Sequence, residues 1–343
     1  MSSTSLNKRK TPRGLRPAWR FPRKGRTVMA VKKVQTTLEE GHRRRMRRRD
    51  IESYAFLLPN LLLFILCSIY PVLWTLKYVF YQYGGIGTAA PKWVGLENLA
   101  RVFRDEVYWK SVANTFVYGF GKVLIIIPLA FFLALLLNKQ TKFNGVAHSV
   151  IFLPTIMSSA VMGLVFYLLF NAYNGEINQY LMGLGIIKTP INWLGKDHAM
   201  QTLIITAIWG GVGNYMVYFI AGLQQVAKDV QESAKIDGAG PIKTLWFVTI
   251  PMMGPILKII LMLAITSAFN DITNVMVLTE GGPNNATMVM SLYAYQYFFP
   301  VSASSSVIPQ YGYGAAVSVV SAAIAGVITV IYLRLSRKLD EIY

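Results

Sequence analysis

Six long apolar stretches dominate the hydropathy pattern of this chain. They cover residues 54–76, 111–137, 146–172, 199–223, 259–279 and 311–333. Roughly 20 apolar residues cross the ~30 Å hydrocarbon core of a bilayer as an α-helix, and a backbone surrounded by lipid must close its own hydrogen bonds. The pattern therefore predicts an all-α integral membrane protein with six transmembrane helices. Interior prolines, Pro154 in the third stretch among them, predict kinks or broken turns.

Two charged residues interrupt the apolar stretches, Lys122 in the second and Asp271 in the fifth. An ionisable group is costly inside a bilayer, so it usually faces protein or water. Two interpretations stay open. Either the two residues pair with each other or line a solute pathway, or each lies near enough to an interface to reach water.

The positive charge of the chain is concentrated at its N-terminus. Of 34 Lys and Arg residues, 17 lie within residues 1–50. With the N-terminus inside, the inner segments hold 25 Lys and Arg residues and the outer loops hold six. Because cytoplasmic loops carry the excess of Lys and Arg, we expect both ends to be cytoplasmic. Residues 1–53 then form a basic, disordered tail, residues 54–335 the transmembrane domain, and residues 336–343 a cytoplasmic C-terminus.

The basic tail has three interpretations. Each Lys or Arg near an anionic leaflet contributes about 1 kcal/mol of attraction, so adhesion to the inner membrane surface is favoured. Binding to nucleic acid is not expected, because basic charge alone does not specify it. An organellar transit peptide has a similar composition.

The chain carries no recognisable catalytic motif. It has no GxxxxGK[ST] phosphate loop, no GxSxG and no HExxH. Gly183–Thr189 resembles a phosphate loop only superficially, because Ile187 replaces the second glycine. One cysteine and three separated histidines give no metal-ligand spacing. We therefore expect a non-enzymatic protein, driven by an ion gradient or by a partner subunit.

The inner loop at residues 224–257 has a helix–turn–helix pattern. Val226, Val230 and Ala234 repeat every four residues and predict one apolar helical stripe. Gly238 ends this helix, and Pro241 is suited to the first turn of the next. The pattern fits an ordinary amphipathic connector at the membrane surface, or a docking element for a soluble partner.

The residues of this loop resemble a known motif. Glu232–Ala239 (ESAKIDGA), followed by Phe247, Ile250, Pro251 and Pro255, is similar to the EAA loop of binding-protein-dependent ABC importer permeases. The match departs from the motif at Ser233, where a small residue replaces the first alanine. The resemblance implies that an ATPase subunit docks on this coupling helix. The docking residues it implies are Glu232, Ser233, Ala234, Asp237, Gly238 and Ala239.

Further segments resemble the carbohydrate-uptake branch of these permeases, related to maltose, lactose and glycerol-phosphate permeases. They are Tyr54–Pro71, Val94–Asn98, Phe152–Pro154, Asn192–Leu194 and Thr279–Pro283. The resemblance implies an ABC importer type I permease-like fold in a bacterial cell membrane, with the coupling helix between helices four and five. It also implies four partners: a second homologous permease, two ABC ATPase subunits that bind ATP and Mg, and an extracytoplasmic solute-binding protein that delivers a sugar. This chain itself is expected to need no cofactor.

Polar residues in the fourth and fifth stretches are candidates for the solute pathway. They are Gly211, Asn214, Tyr215, Tyr218, Asn270, Asp271 and Asn274. Sugars bind hydrogen-bonding groups and aromatic faces, and positions 270, 271 and 274 share one helical face. The tyrosines also fit interfacial packing, and the asparagines also fit a helix–helix contact. The alternative function is an ion-coupled secondary transporter, which would need several buried carboxylates.

The third outer loop contains the apolar, aromatic segment Met288–Phe299, which predicts a short helix at the membrane surface. Residues 301–310, after this segment, look like an insertion before the last stretch. No charged residue lies between positions 281 and 310. The outer loops are therefore expected to form no large external domain.

Overall fold

The computed structural model describes residues 53–85, 87–138, 144–299 and 307–339. The predicted tail before Ser53, most of the apparent insertion and the last four residues lie outside the described residues. The chain divides into two compact units, Met1–Pro71 and Val72–Tyr343. The described part of the first unit is helical throughout, and the second unit contains two short strands and the remaining helices.

The described residues form fourteen α-helices, and a short 3₁₀ helix, Ser336–Leu339, follows the last of them. The α-helices are α1 (Ser53–Tyr78), α2 (Glu97–Arg104), α3 (Glu106–Leu137), α4 (Asn144–Ile156), α5 (Ser159–Leu169), α6 (Glu176–Gly183), α7 (Ala199–Gln225), α8 (Lys228–Ile236), α9 (Pro241–Thr244), α10 (Ile250–Met252), α11 (Gly254–Phe269), α12 (Thr273–Leu278), α13 (Met290–Tyr295) and α14 (Tyr311–Leu335). Strands β1 (Tyr81–Gln82) and β2 (Lys92–Trp93) pair antiparallel, with Tyr81 opposite Trp93. Short π-helical turns occur within α1 and between α9 and α10.

Five helical segments of the described chain are long and apolar enough to cross a membrane. They are α1, α3, α7, α11 together with α12, and α14. Helices α4 and α5 make a sixth span if they are counted as one broken helix. This mostly helical architecture agrees with the fold class predicted from the sequence.

The third apolar stretch, residues 146–172, is a broken helix, in line with the kink or broken turn predicted from its interior Pro154. Helices α4 and α5 meet at an angle of 96°. The break follows Pro154 by a few residues, and Ser158 has the extended ψ of 133° at the start of α5. Proline disturbs the turn that precedes it, but the helix continues through Pro154 to Ile156, so the proline indicates a weakened helix without fixing the exact place of the break.

The fifth span begins earlier than predicted and is interrupted. Helix α11 begins at Gly254 rather than at residue 259, because Pro255 occupies its first turn, where the missing N–H is harmless. The helix ends at Phe269, and α12 restarts the span at Thr273. The three residues between them, 270–272, therefore lie outside regular helix, with Asn270 exposed and the other two half-buried.

Helix α7 is the centre of the second unit, packing against α3, α4, α5, α11 and α12. Helix α13 forms inside the predicted segment Met288–Phe299, but it does not lie on the surface. Leu292 and Tyr293 are buried, and α13 packs against α3 and α14. The aromatic composition of this segment reflects packing inside the protein rather than contact with lipid.

Candidate functional site

The two charged residues of the apolar stretches form an ion pair. Lys122 Nζ on α3 lies 2.8 Å from Asp271 Oδ2, in the break between α11 and α12. Tyr118 Oη, one turn before Lys122, donates to the same carboxylate oxygen at 2.6 Å. Asn274 Nδ2, in the first turn of α12, lies 2.8 Å from Oδ2 and 3.0 Å from Oδ1. Asp271 lies in the break between the two helices, and its carboxylate there reaches all three donors.

The orientation of the Asn274 amide follows from its contacts with Asp271. If the amide were flipped, its oxygen would face a carboxylate, which is repulsive, so the nitrogen must point at Asp271. The amide oxygen Oδ1 is then buried and has no hydrogen-bond partner among the described residues. A buried acceptor without a donor costs free energy. A hydroxyl group or a water molecule that reached this oxygen would satisfy it.

A cavity of about 430 Å³ opens beside this cluster. It is lined by Lys122, Thr155, Ser159, Met162, Ala207, Gly210, Gly211, Asn214, Tyr215, Ser267, Asn270, Asp271, Ile272, Thr273 and Asn274. Six of the seven pathway candidates predicted from the sequence are in this set. The seventh, Tyr218, is not among the lining residues, and its ring packs edge-on against Tyr215 with the centroids 6.3 Å apart.

Four hydroxyl-bearing residues of the cavity wall were not predicted from the sequence. Ser267 could have been found, because it lies four residues before Asp271 and therefore on the same helical face. Thr155 and Ser159 flank the break between α4 and α5, and Thr155 Oγ1 donates to the carbonyl of Gly210 at 3.1 Å. The bend between α4 and α5, rather than a periodic pattern in the sequence, brings these two residues to the cavity.

A second cavity, of about 830 Å³, lies at the N-terminal end of α3, beside α2 and the start of α14. Arg101 donates to Gln310 Oε1 at 2.6 Å, and its guanidinium lies 4.0 Å from the centre of the Tyr313 ring. Asp105 caps α3 by accepting from the backbone N–H of Val107 and Tyr108. This cavity combines charged, amide and aromatic side chains, and of its lining residues only Tyr313 belongs to an apolar stretch.

Asp105 is the centre of a hydrogen-bond network in this second cavity. Its Oδ2 accepts from the hydroxyls of Tyr293 and Tyr313. Burial alone would raise the pKa of Asp105, but these hydroxyls and the two backbone donors outweigh burial and hold the pKa below its usual 3.8. Burial and the neighbouring carboxylate raise the pKa of Tyr293 well above its ordinary value. Asp105 is therefore ionised, and Tyr293 neutral, at physiological pH.

The loop between α7 and α11 forms the predicted helix–turn–helix. Helix α8 ends in a Schellman motif: the N–H of Gly238 donates to the carbonyl of Lys235, and the N–H of Ala239 donates to that of Ala234. Gly238 has φ +81°, in the left-handed region. Pro241 then starts α9 at a first-turn position.

The expected apolar stripe of this loop is wrong at Val226. This residue lies between α7 and α8 in extended conformation, with ψ 120°, and it is buried against the preceding helices. Val230 is 40% exposed. The four-residue repeat therefore does not form one face of one helix, because helix α7 ends at Gln225 and α8 begins only after Val226.

Large apolar side chains of this loop are exposed in the single chain. The exposed fraction is 85% for Ile236, 75% for Ile242, 62% for Trp246 and 77% for Phe247. The candidate docking residues Glu232, Ser233, Asp237 and Gly238 are exposed as well, whereas Ala234 and Ala239 are half-buried. Exposed apolar groups beside a rigid turn are typical of an interaction surface.

A comparison with protein families matches residues 126–341 to the binding-protein-dependent transport system inner membrane component. The lactose transport system permease protein LacF of Rhizobium radiobacter is 33% identical over 302 residues, covering 85% of this chain and 96% of LacF. The trehalose/maltose transport system permease protein MalF of Thermococcus litoralis is 29% identical, covering 83% and 93%.

Among solved structures, a bacterial ABC transporter involved in the import of the acidic polysaccharide alginate has the same fold. Its chain superposes with a TM-score of 0.72 at 20% identity, covering 85% of this chain and 96% of that chain. A second structure of the alginate transporter, in complex with a periplasmic protein that holds an alginate pentasaccharide, gives a TM-score of 0.73 at 21% identity. With its apolar helices, its exposed loop between α7 and α11 and these matches, this chain belongs to the family of binding-protein-dependent transport system inner membrane components.

Proposed function

We propose that this chain is the membrane-spanning permease subunit of an ATP-driven importer that moves a sugar or oligosaccharide into the cytoplasm. The relatives named above transport lactose, and trehalose or maltose, according to their names. A related permease, AraP of Bacillus subtilis, is named for arabinooligosaccharides, and it is 30% identical over 287 residues. The chain itself is non-catalytic, and partner subunits hydrolyse ATP.

The cavity beside Asp271 is the proposed sugar pathway. Sugars present many hydroxyls and need both donors and acceptors around them. The wall of the cavity offers the amides of Asn214, Asn270 and Asn274 and the hydroxyls of Thr155 and Ser267. The unpartnered Asn274 Oδ1 supports this assignment, because a sugar hydroxyl would satisfy it.

The loop around Gly238 is the proposed contact with the ATPase subunits. The observation that carries the proposal is the exposed apolar surface of this loop beside a rigid Schellman turn. Ile236 and Phe247 are each more than three-quarters exposed, and burying them in a partner is favourable by about 25 cal/mol per Å². Glu232, Ser233, Ala234, Asp237, Gly238 and Ala239 form the docking motif.

The complete importer contains further subunits in this proposal. A second homologous permease completes the pathway, two ABC ATPases bind ATP and Mg on the cytoplasmic side, and an external solute-binding protein delivers the sugar. Both ends of this chain are cytoplasmic. ATP-driven closure of the ATPases moves the two docking loops and switches the pathway by rigid-body rotation between two packed states.

The function is tested by reconstituting the assembled importer in vesicles and measuring sugar-stimulated ATP hydrolysis and sugar uptake. We expect a Glu232→Ala/Asp237→Ala double variant to release the ATPase from the complex and to abolish uptake. Asp229→Ala, an acidic residue of the same helix outside the motif, is the control and should retain both activities. Uptake that continues without ATP and stops when the ion gradient is dissipated would instead favour an ion-coupled transporter.

A further inference from the structure

The charged groups of the 430 Å³ cavity cancel each other. Among its lining residues, Lys122 and Asp271 are the charged ones. Lys122 is 6% exposed and Asp271 is in contact with its ammonium group, so the pair is largely removed from water. A ligand that enters the cavity therefore meets a site of zero net charge.

The cluster has unused hydrogen-bonding capacity on both sides, because the Lys122 ammonium has three N–H donors and gives one to Asp271, while acceptor sites also remain free. Asn274 Oδ1 has no donor. Asp271 Oδ1 receives one hydrogen bond, from Asn274, whereas Oδ2 receives three, from Tyr118, Lys122 and Asn274. A carboxylate oxygen accepts about two hydrogen bonds, so Oδ1 still has room for a donor. Hydroxyl groups supply such donors, but ligand carboxylates do not.

An anionic ligand would be repelled at this position. Its carboxylate would have to share the Lys122 ammonium with Asp271, leaving one uncompensated negative charge. Charges interact strongly where water is excluded, and two carboxylates sharing one site do not both stay ionised. A neutral sugar hydroxyl meets no such repulsion.

We propose that the Lys122–Asp271 pair makes the cavity selective for uncharged, hydroxyl-rich sugars against sugars that carry a carboxylate, with Asp271 as the residue that sets this preference. The inference rests on the proposed function, since it takes the cavity to be the sugar pathway. The structural neighbour handles an acidic polysaccharide, so the shared fold does not determine the charge of the substrate. Replacing Asp271 would leave Lys122 free to bind an anion.

The test compares ligands that differ at one carbon, which is a neutral hydroxymethyl group in one and a carboxylate in the other. Lactitol and lactobionate are open-chain derivatives of one disaccharide, the first neutral and the second a carboxylate, and maltitol and maltobionate form a second pair. Binding to the assembled importer in lipid nanodiscs is measured by saturation-transfer NMR titration. The external binding protein is left out, so its own selectivity does not enter the result.

We expect the wild-type importer to bind the neutral member of at least one pair about tenfold more tightly than its acid, as like-charge repulsion at low dielectric requires. Asp271→Asn should reverse this order. Because Lys122 is then buried without its counter-ion, this variant could fail to assemble. A Lys122→Met/Asp271→Asn variant therefore serves as a second test. It should lose most of the difference in affinity between the neutral sugar and its acid.

Two results would overturn the inference. One is that the wild-type importer binds neither neutral sugar more tightly than its acid. The other is that the ratio between the affinities for the neutral sugar and its acid is unchanged in both variants. Either result would leave the proposed function standing as long as sugar still stimulates ATP hydrolysis by the importer.

Discussion

Lys122 and Asp271 are 149 residues apart in the chain, and their side chains meet at 2.8 Å inside the protein. The contact joins the middle of α3 to the break between α11 and α12. The pair is nearly inaccessible to solvent, with exposed side-chain fractions of 7% and 10%. A buried ion pair contributes little net stability by itself, but removing one partner leaves an uncompensated charge.

Lys122→Met is expected to destabilise the folded protein by about 3–5 kcal/mol, because it leaves Asp271 buried without a cation. The measurement is thermal unfolding of the purified protein in detergent. The matched control is Lys122→Met/Asp271→Asn, which removes both charges and should recover most of the loss. Equal instability of the single and double variants would show that the ion pair is not the cause.

Part of this cluster was predictable from the sequence, and part was not. The spacing of Asn270, Asp271 and Asn274 predicted one shared helical face, but the helix is broken at residues 270–272, so all three line the cavity without sharing a helix. Pairing of Lys122 with Asp271 was one of the two interpretations that the sequence left open, and the structure has it. The contact of Tyr118 with Asp271 did not follow from the sequence, because it depends on the packing of α3 against α11. Tyr118 lies one turn before Lys122 on α3. This spacing is the one local signal that could have placed these two side chains side by side.

The fold was predictable where local chemistry decides it. Helix ends at Gly238 and Pro241 follow from backbone sterics, and the structure has both. The 96° bend between α4 and α5 was not predictable in size, because a proline indicates a break but not the direction of the next helix. The burial of α13 also depends on tertiary packing, since an apolar aromatic helix suits lipid and protein equally well.

Gly238→Asp is expected to leave the protein in the membrane and to uncouple transport from ATP hydrolysis. Residue 238 has φ +81°, a conformation that costs an ordinary residue roughly 1–2 kcal/mol. The space around it is open in the single chain. The effect should therefore come from strain in the turn and from the altered docking surface, not from a clash within this chain.

The control for this variant is Gly240→Asp, two residues later in the same turn. Gly240 has φ −68° and precedes α9 as its N-cap, a position that aspartate favours. Sugar uptake and ATP hydrolysis by the reconstituted importer are measured for both variants. Normal coupling in the Gly238 variant, or equal loss in both, would count against the role of the left-handed turn.

Asp105→Asn is expected to reduce the dependence of stability on pH in acid. The folded-state pKa of Asp105 is lowered, so its ionised form stabilises the fold. This contribution is complete above the unfolded pKa of about 3.9 and is lost as the pH falls through the lower, folded value. Thermal unfolding is measured in steps from about pH 6 to about pH 3. The unfolding temperatures of the variant and the wild type should differ less at the acid end of this range.

The Asp105→Asn variant separates charge from capping. Asparagine caps a helix about as well as aspartate, so the hydrogen bonds to Val107 and Tyr108 can persist. What is lost is the charged acceptor for the hydroxyls of Tyr293 and Tyr313. If the variant and the wild type lose stability in parallel as the pH falls, Asp105 is not the group that titrates.

Gly213→Ala is expected to destabilise the contact between α7 and α4. A Cβ atom at position 213 would lie 2.5 Å from the carbonyl oxygen of Ile151 and 2.9 Å from Cα of Phe152. Both are backbone atoms of α4, which cannot move aside as a flexible side chain can. Overpacking of this kind costs about 1–3 kcal/mol. It would also displace Thr155, one turn further along α4, from the cavity wall.

The control for this contact is Gly145→Ala, in the first turn of α4, where an added Cβ meets no atom within 4 Å. Alanine there should be neutral or stabilising by up to about 1 kcal/mol, because it favours helix over glycine. Thermal unfolding in detergent compares the two variants, and sugar binding to the assembled importer reports on the cavity. A Gly213 variant as stable as the Gly145 variant, with unchanged binding, would show that α4 can move away from α7 without affecting the pathway.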